Sequence, residues 1–554
     1  MAAAKFALGI DFGTESGRVM LVRADTGEEV AWSVVPYVNG VMDRSLPDDT
    51  PLGPDWALQD PRDYLFVLDR GVREMMRESR VNAAEVAGIG VAFTSCTMLP
   101  CLADGTPLCM LEGFASQPHA WVKLWKHHAA QRQADRINQL GARRREEFLR
   151  ICSGRYSSEW LFSKVLQMVE EAPEVYAAAG RLIEAGDWIV WQMTGREVRS
   201  ECSAGYKGMW IKGQGYPSRA FFHELDPRLE SVVSEKIEAP ILPLGSVAGG
   251  LSKSMAARMG LAPGTPVATA VIDAHAAVPA CGVTEPGRLA MIMGTSICHM
   301  LLGSEAQMVE GMCGVVEDGI LPGYWGYEAG QAAVGDIYAW FFRTGITAAM
   351  EQEAGRRGLS PAEWVTTEAW RLKPGESGLL ALDWWNGNRS VLMDAGLSGV
   401  LAGATLATRP EEIYRALIEA TAFGTRAVID AFDARGLPTR DIVACGGLAE
   451  RSPAVMQIFA DVTGREIRLP RSFQASGLGA AMHGAVAGGY YKDFGAAARG
   501  MTGLLERAYR PNPAARSVYD RLYCEYRTLH DYFGRGTNDV LKRLRAIRRE
   551  VTGQ

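Results

Sequence analysis

The stretch FALGIDFGTESGRVMLV, residues 6–22, decides the fold. An apolar run, FALGI, ends at Asp11; a tight turn through Gly13 and Thr14 follows, and a second apolar run, VMLV, leads away from it. Polar ADTGEE then gives way to VAWSVV, so residues 6–35 predict a three-stranded antiparallel meander. The same grammar returns in RLAMIMGTSICHMLL, residues 288–302, where an apolar strand meets Gly294, Thr295 and Ser296 and runs back. GIGV (88–91) and IVAC (442–445) read as buried strands that stop at small or polar residues. The repetition is one of pattern rather than identity, and it predicts two domains on one plan. No Gly/Ser- or Pro-rich linker separates them, so they should meet closely, with a boundary near residues 281–287 (CGVTEPG).

Length and composition agree. At 554 residues the chain exceeds what one hydrophobic core serves, while 47% apolar and 22% charged residues are ordinary for a globular protein. A formal net charge of −6 disfavours nucleic acid or an anionic membrane as the main partner. The ten cysteines form no C-x-x-C pair and have no histidine at zinc spacing; they read as small buried hydrophobes of a reducing compartment. The start, MAAAKFALGIDFG, reaches Asp11 before a signal-peptide core can form, and the best apolar stretch, 267–283, contains Asp273 and His275. A cytoplasmic protein without a membrane partner is expected.

Helices separate the strands. Residues 408–427 predict one that opens on a capping box from Thr408 to Glu411 and carries Ile413, Tyr414, Leu417, Ile418 and Thr421 on one face. Residues 517–533 carry Tyr519, Leu522, Tyr523, Tyr526, Leu529 and Phe533 at helical spacing, a packing stripe. The basic tail KRLRAIRRE (542–550) reads as a solvated helix end.

The chain has no P-loop, no G-x-G-x-x-G after a strand, no H-E-x-x-H and no G-x-S-x-G. It does have three glycine turns at strand ends: Gly13-Thr14, Gly294-Thr295-Ser296 and Gly446-Gly447. Such turns let backbone N–H groups approach an anion, and hydroxyls add donors; each alone is equally an ordinary hairpin. Two carboxylates also stand at strand ends, Asp11 after FALGI and Asp273 after VATAVI. Either can hold hydrated Mg²⁺ or take a hydroxyl proton; the plainer alternatives are an Asx turn for Asp11 and a helix N-cap for Asp273. His275 and the pair His127-His128 lack a nucleophile or metal partner and read as structural.

DFGTESGR, the strand leading to Asp273 with AHAA, MGTS, GYEAGQ (326–331) and ACGGL together resemble the FGGY carbohydrate kinases. WVKLWKHHAAQ (121–131), YSSEW (156–160), CSAGYKGMW (202–210), EGMCGVVEDG (310–319), GDIYAWF (335–341) and LDWWNGNRS (382–390) are similar to the branch acting on L-ribulose in arabinose breakdown. The likeness runs from about residue 6 to about residue 540. It implies an α/β fold of two duplicated actin-like (ribonuclease H-like) domains, each a mixed sheet flanked by helices, with a cleft between them. Residues 1–283 would bind sugar and 284–554, ending in a helical segment, the nucleotide. The implied reaction is ATP- and Mg²⁺-dependent phosphorylation of L-ribulose at O5. By resemblance, Asp273 is the general base; Ser95, Lys207, Asp273 and Glu328 contact the sugar; Asp11 lies near Mg²⁺. Gly13, Thr14, Gly294, Thr295 and Ser296 cradle phosphates, and Gly446, Gly447 and a turn at 476–480 (SGLGA) border the nucleotide. Ala92, Ser95 and Ser452 depart from residues common in the family. The alternatives are a kinase for another pentulose or pentitol (D-ribulose, xylulose or ribitol) and a non-catalytic, sugar-sensing actin-like protein. The partners expected are the sugar and ATP, with no nucleic acid; a homodimer is left open.

Overall fold

A computed structural model describes residues 5–552. The opening meander is present as β1 (Phe6–Phe12), β2 (Ser16–Arg23) and β3 (Glu29–Pro36), paired antiparallel in that order. β4 (Val86–Phe93) lies parallel to β1 on its other side. Beyond it come β5 (Val247–Gly250), β6 (Pro266–Ala268) and β7 (Val271–Ile272), giving the order β5-β6-β4-β1-β2-β3, with β7 also on β4. β1 and β4 read as almost unbroken apolar runs because both faces of this sheet are covered. One face, with Leu8, Ile10 and Phe12, packs on the helices around Tyr64–Met76 and Trp188–Met193.

The second sheet repeats the plan. It contains β8 (Arg288–Met293), β9 (Ile297–Gly303), β10 (Gly314–Glu317), β11 (Trp325–Gln331), β12 (Asp441–Cys445), β13 (Ile467–Pro470) and β14 (Leu504–Tyr509). Their order is β10-β11-β9-β8-β12-β13-β14. In both halves a first strand is flanked by its antiparallel hairpin partner and by a later parallel strand, and an antiparallel edge strand closes the far side. Two mixed sheets flanked by helices are therefore present, as expected.

The helices that matter for the site are α1 (Glu201–Lys207), α2 (Asp273–Ala280), α3 (Pro410–Asp433), α4 (Ala475–Ala487), α5 (Pro513–Gly534) and α6 (Val540–Thr552). α3 starts one residue later than the sequence suggests: the Glu412 carboxylate, not Glu411, accepts from the Arg409 N–H at 2.8 Å, because Pro410 takes the first helical position. The Thr408 hydroxyl instead accepts from the Thr405 N–H. The aromatic stripe of α5 is packing, with Tyr519, Tyr523 and Tyr526 buried in the second core. The basic tail is α6, and it is not merely solvated: Lys542 pairs with Asp394 at 2.7 Å and Arg545 donates to the Ala395 carbonyl.

α4 corrects the reading of SGLGA as a turn, since residues 475–487 are helical throughout. The small residues serve close packing instead. α4 follows β13 of the second sheet yet lies on β1 and β4 of the first, and against α2. A Cβ on Gly9 would stand 2.1 Å from the Gly477 carbonyl oxygen, one on Gly90 1.8 Å from that of Ala480, and one on Gly479 1.8 Å from that of Ala276. These contacts, with Ala7, Met20, Ala92 and Val443, form an apolar core shared by the two halves. Among the described residues, no helix is long and apolar enough to cross a membrane.

Gly90→Ala should cost about 1–3 kcal/mol of stability, because backbone rather than a flexible side chain must yield. Urea unfolding checks this; a wild-type midpoint would refute the close packing of α4.

Candidate active site

Strand register builds the first wall. In the first sheet Asp11 pairs with Ala92, and Ala92 with Val271, while Phe12, Phe93 and Ile272 form the next row. The residues that follow, Gly13 and Thr14, Thr94 and Ser95, and Asp273, therefore emerge side by side at the carboxyl ends of three parallel strands. Crevices at such strand ends are where open α/β sheets bind ligands.

Asp11 is buried, and Arg18 stands 3.5 Å from it. Burial raises its pKa despite that cation. Asp273 occupies the first turn of α2 and accepts from the Ala274 N–H at 2.7 Å, so it lies one place past the N-cap, which is Ile272. Burial, and then the neighbouring Asp11 charge, raise its pKa to about 7. Ser95 follows β4, with its hydroxyl 3.3 Å from the Cys96 sulfur.

The turn after β1 is held from outside. Tyr37 donates to the Gly13 carbonyl at 3.1 Å, and Gln59 to the Thr14 carbonyl at 2.7 Å. The Trp125 indole N–H donates to the Thr14 hydroxyl oxygen at 3.1 Å. That leaves the Thr14 O–H available as a donor.

The second wall comes from the second sheet. Ile292 pairs with Cys445 in parallel, which sets the turn at Gly294–Ser296 beside Gly446 and Gly447. Gly446 has φ +91°, and a Cβ there would meet the Met293 carbonyl oxygen at 2.4 Å, so only glycine fits. Gly294 and Thr295 are exposed, and their carbonyls accept from the N–H groups of Gly335 and Val334 at 3.2 and 2.7 Å.

Lys207 and Glu328 join the walls. Lys207 ends α1 and Glu328 lies on β11, and their side chains pair at 2.8 Å with 3% and 11% of each exposed. His275, two residues beyond Asp273, brings Nε2 to 3.4 Å from the same Glu328 oxygen, and its Nδ1 lies 3.1 Å from the Cys202 sulfur. Burial alone would raise Glu328, but Lys207 and His275 outweigh it and hold the carboxyl well below the usual range. Lys207 is held well above its usual range: burial opposes its charge and Glu328 overcomes that. Burial lowers His275, against the pull of Glu328.

The structure thus gathers Asp11, Gly13, Thr14, Ser95 and Asp273 on one wall, and Gly294, Thr295, Ser296, Gly446 and Gly447 on the other. The segment 476–480 belongs to the shared core. His127 is structural, its Nε2 2.9 Å from Gln167, whereas His275 belongs to the site. Trp125, which holds Thr14, and the Glu159–Arg389 pair at 3.5 Å, whose guanidinium lies 5.9 Å from the Trp125 ring, adjoin it and were missed. They sit in the distinctive strings WVKLWKHHAAQ, YSSEW and LDWWNGNRS, which were the available signal. Eight of ten cysteines are buried; Cys298 is half-buried and Cys524 exposed. Among the described residues, no cluster of three or more His, Cys, Asp or Glu side chains could hold a metal. A Mg²⁺ ion carried on nucleotide phosphates needs only one or two carboxylates, and Asp11, buried at a strand end, fits that demand.

The chain is similar to known proteins over nearly its whole length. Residues 6–279 match the N-terminal domain of the FGGY family of carbohydrate kinases, and residues 289–488 the C-terminal domain. A ribulokinase of Halalkalibacterium halodurans is 55% identical over 549 residues, covering 98% of each chain. A ribulokinase of Geobacillus thermodenitrificans is 54% identical over 546 residues, covering 98% of this chain and 97% of that protein. The crystal structure of ligand-bound xylulose kinase from Lactobacillus acidophilus superposes with a TM-score of 0.79 at 17% identity, covering 96% of this chain and 98% of that one.

Removing one partner of the buried pair should be expensive. Glu328→Gln is expected to lose about 3–5 kcal/mol in denaturant unfolding, and Lys207→Met combined with Glu328→Leu to recover part of it. An unchanged midpoint in Glu328→Gln would show that the pair is not desolvated.

Proposed function

The chain belongs to the FGGY family of carbohydrate kinases, and we propose that it transfers the γ-phosphoryl group of ATP to O5 of L-ribulose, giving L-ribulose 5-phosphate and ADP. The sugar assignment is carried by the 54–55% identity to ribulokinases over 98% of the chain. In this reading residues 1–283 hold the sugar and 284–554 the nucleotide.

Asp273 takes the proton of the C5 hydroxyl as the O5–phosphorus bond forms and the bond to the β-phosphate oxygen breaks. Its position at the mouth of α2 and its pKa of about 7 suit a base that must be ionised yet still basic near neutrality. Lys207, Glu328 and Ser95 orient the sugar hydroxyls, with Glu328 kept anionic to accept hydrogen bonds. The Gly13 and Gly294 N–H groups close their own turns on the Ser16 and Ser296 carbonyls, so the N–H and O–H groups of Thr14, Thr295 and Ser296 are the donors for phosphate oxygens, and Gly446-Gly447 border the nucleotide. Asp11 would help hold the hydrated Mg²⁺ that arrives with ATP, which would offset phosphate charge. Phosphoryl transfer asks the protein mainly for in-line placement and charge compensation, and for exclusion of water.

An ADP-release assay across L-ribulose, D-ribulose, xylulose and ribitol should give the highest kcat/KM on L-ribulose; a higher value on another sugar reassigns the substrate. Asp273→Asn should lower kcat roughly 10²–10⁴-fold with the fold intact by circular dichroism, and near wild-type turnover would remove the base assignment. In the wild type, kcat/KM should rise with pH through about 7, where the carboxyl loses its proton, and level off above it.

A further inference from the structure

We infer that Arg389 is a positioning residue that couples docking of the second lobe to the orientation of the Thr14 hydroxyl, acting through Trp125. This rests on the reading of Gly13-Thr14 as a phosphate turn.

Arg389 belongs to the second lobe, in a loop that is fixed from behind. Asn388 and Asp394 exchange backbone hydrogen bonds at 3.0 and 2.8 Å, and the Asn388 side chain accepts from the Leu392 N–H at 2.9 Å. The Ser390 hydroxyl accepts from the Gly330 N–H at 3.2 Å, tying the loop to β11 two residues beyond Glu328. The Arg389 stem lies on the same glycine, since a Cβ at Gly330 would stand 3.0 Å from Arg389 Cδ.

The guanidinium then reaches the first lobe. Nη2 is 3.5 Å from Glu159 Oε1, and the group lies 5.9 Å from the centre of the Trp125 ring. That ring makes the 3.1 Å bond to Thr14. Arg155 docks the same loop from below, donating to the Met393 carbonyl at 2.9 Å. A side chain on β11's flank is thus connected in two contacts to the hydroxyl beside the phosphate turn. A planar guanidinium can face an indole and pair with a carboxylate at once; a lysine ammonium lacks the flat face. When the lobes separate, both contacts of Arg389 are lost together and Trp125 is freed to turn away from Thr14.

The test uses the full-length enzyme with Mg²⁺ and ATP and compares Arg389→Ala, Arg389→Lys, Trp125→Phe and the double variant Arg389→Ala/Trp125→Phe. Phenylalanine keeps the ring and removes the N–H to Thr14. Each alanine or phenylalanine variant is expected to lower kcat roughly 10- to 100-fold and to raise the share of ATP hydrolysed without sugar phosphate formed, with melting unchanged. The double variant should be no worse than the poorer single one, and Arg389→Lys should recover only part of the loss. Wild-type kcat in Arg389→Ala, or losses that multiply in the double variant, would overturn the coupling. If Arg389→Ala melts early, the lysine variant and the Trp125→Phe hydrolysis ratio decide, and a wild-type ratio in both overturns it. The wild type is the control for the reaction itself: failure to phosphorylate any ketopentose overturns that reading, whereas turnover that ignores these substitutions overturns only the role of Arg389.

Discussion

Backbone meets backbone, with no side chain between, where α4 of the second lobe crosses β1 and β4 of the first. Gly9, Gly88 and Gly90 on the sheet and Gly484 on the helix leave room for nothing larger, and Gly479 is pressed as closely on the Ala276 carbonyl of α2. This contact decides where the cleft lies. It anchors the lobes at the buried middle of the strands and leaves their carboxyl ends, with Asp11 and Asp273, facing the glycine turns of the second sheet. Filled with side chains, the same surfaces would hold the walls apart.

Charge is distributed unevenly over those walls. Lys207 pairs with Glu328, with His275 3.4 Å from the same carboxylate oxygen, so the Lys207–Glu328 pair is formally compensated and its geometry is held by burial. Among the described residues, Arg18 is the cation that acts on both Asp11 and Asp273, and the pKa of each is raised as burial outweighs it. In the reading proposed above, Asp11 would meet the cation that travels with the phosphates, and Asp273 would stay free to take a proton. Desolvation also strengthens each of these interactions once water is excluded.

The meander, the second meander, and the strands GIGV and IVAC were legible because strand periodicity and glycine turns are local properties. Asp11, Asp273 and the three turns could be singled out for the same reason: each stands at a strand end visible in a few residues. The SGLGA segment misled because small residues suit both a phosphate turn and a helix that must pack closely, and local sequence does not separate the two. His275 was set aside for want of a partner in sequence; its partner, Glu328, is on a strand of the other lobe.

By itself, then, the sequence determined the two strand meanders and their repetition, the family and the residue types at the strand ends. Tertiary structure alone decided that Lys207 binds Glu328, that Trp125 holds Thr14, and that Arg389 crosses to Glu159. Those partners lie between 111 and 230 residues apart in the chain. Such pairings depend on register between parallel strands and on how two lobes dock, which no window of sequence contains.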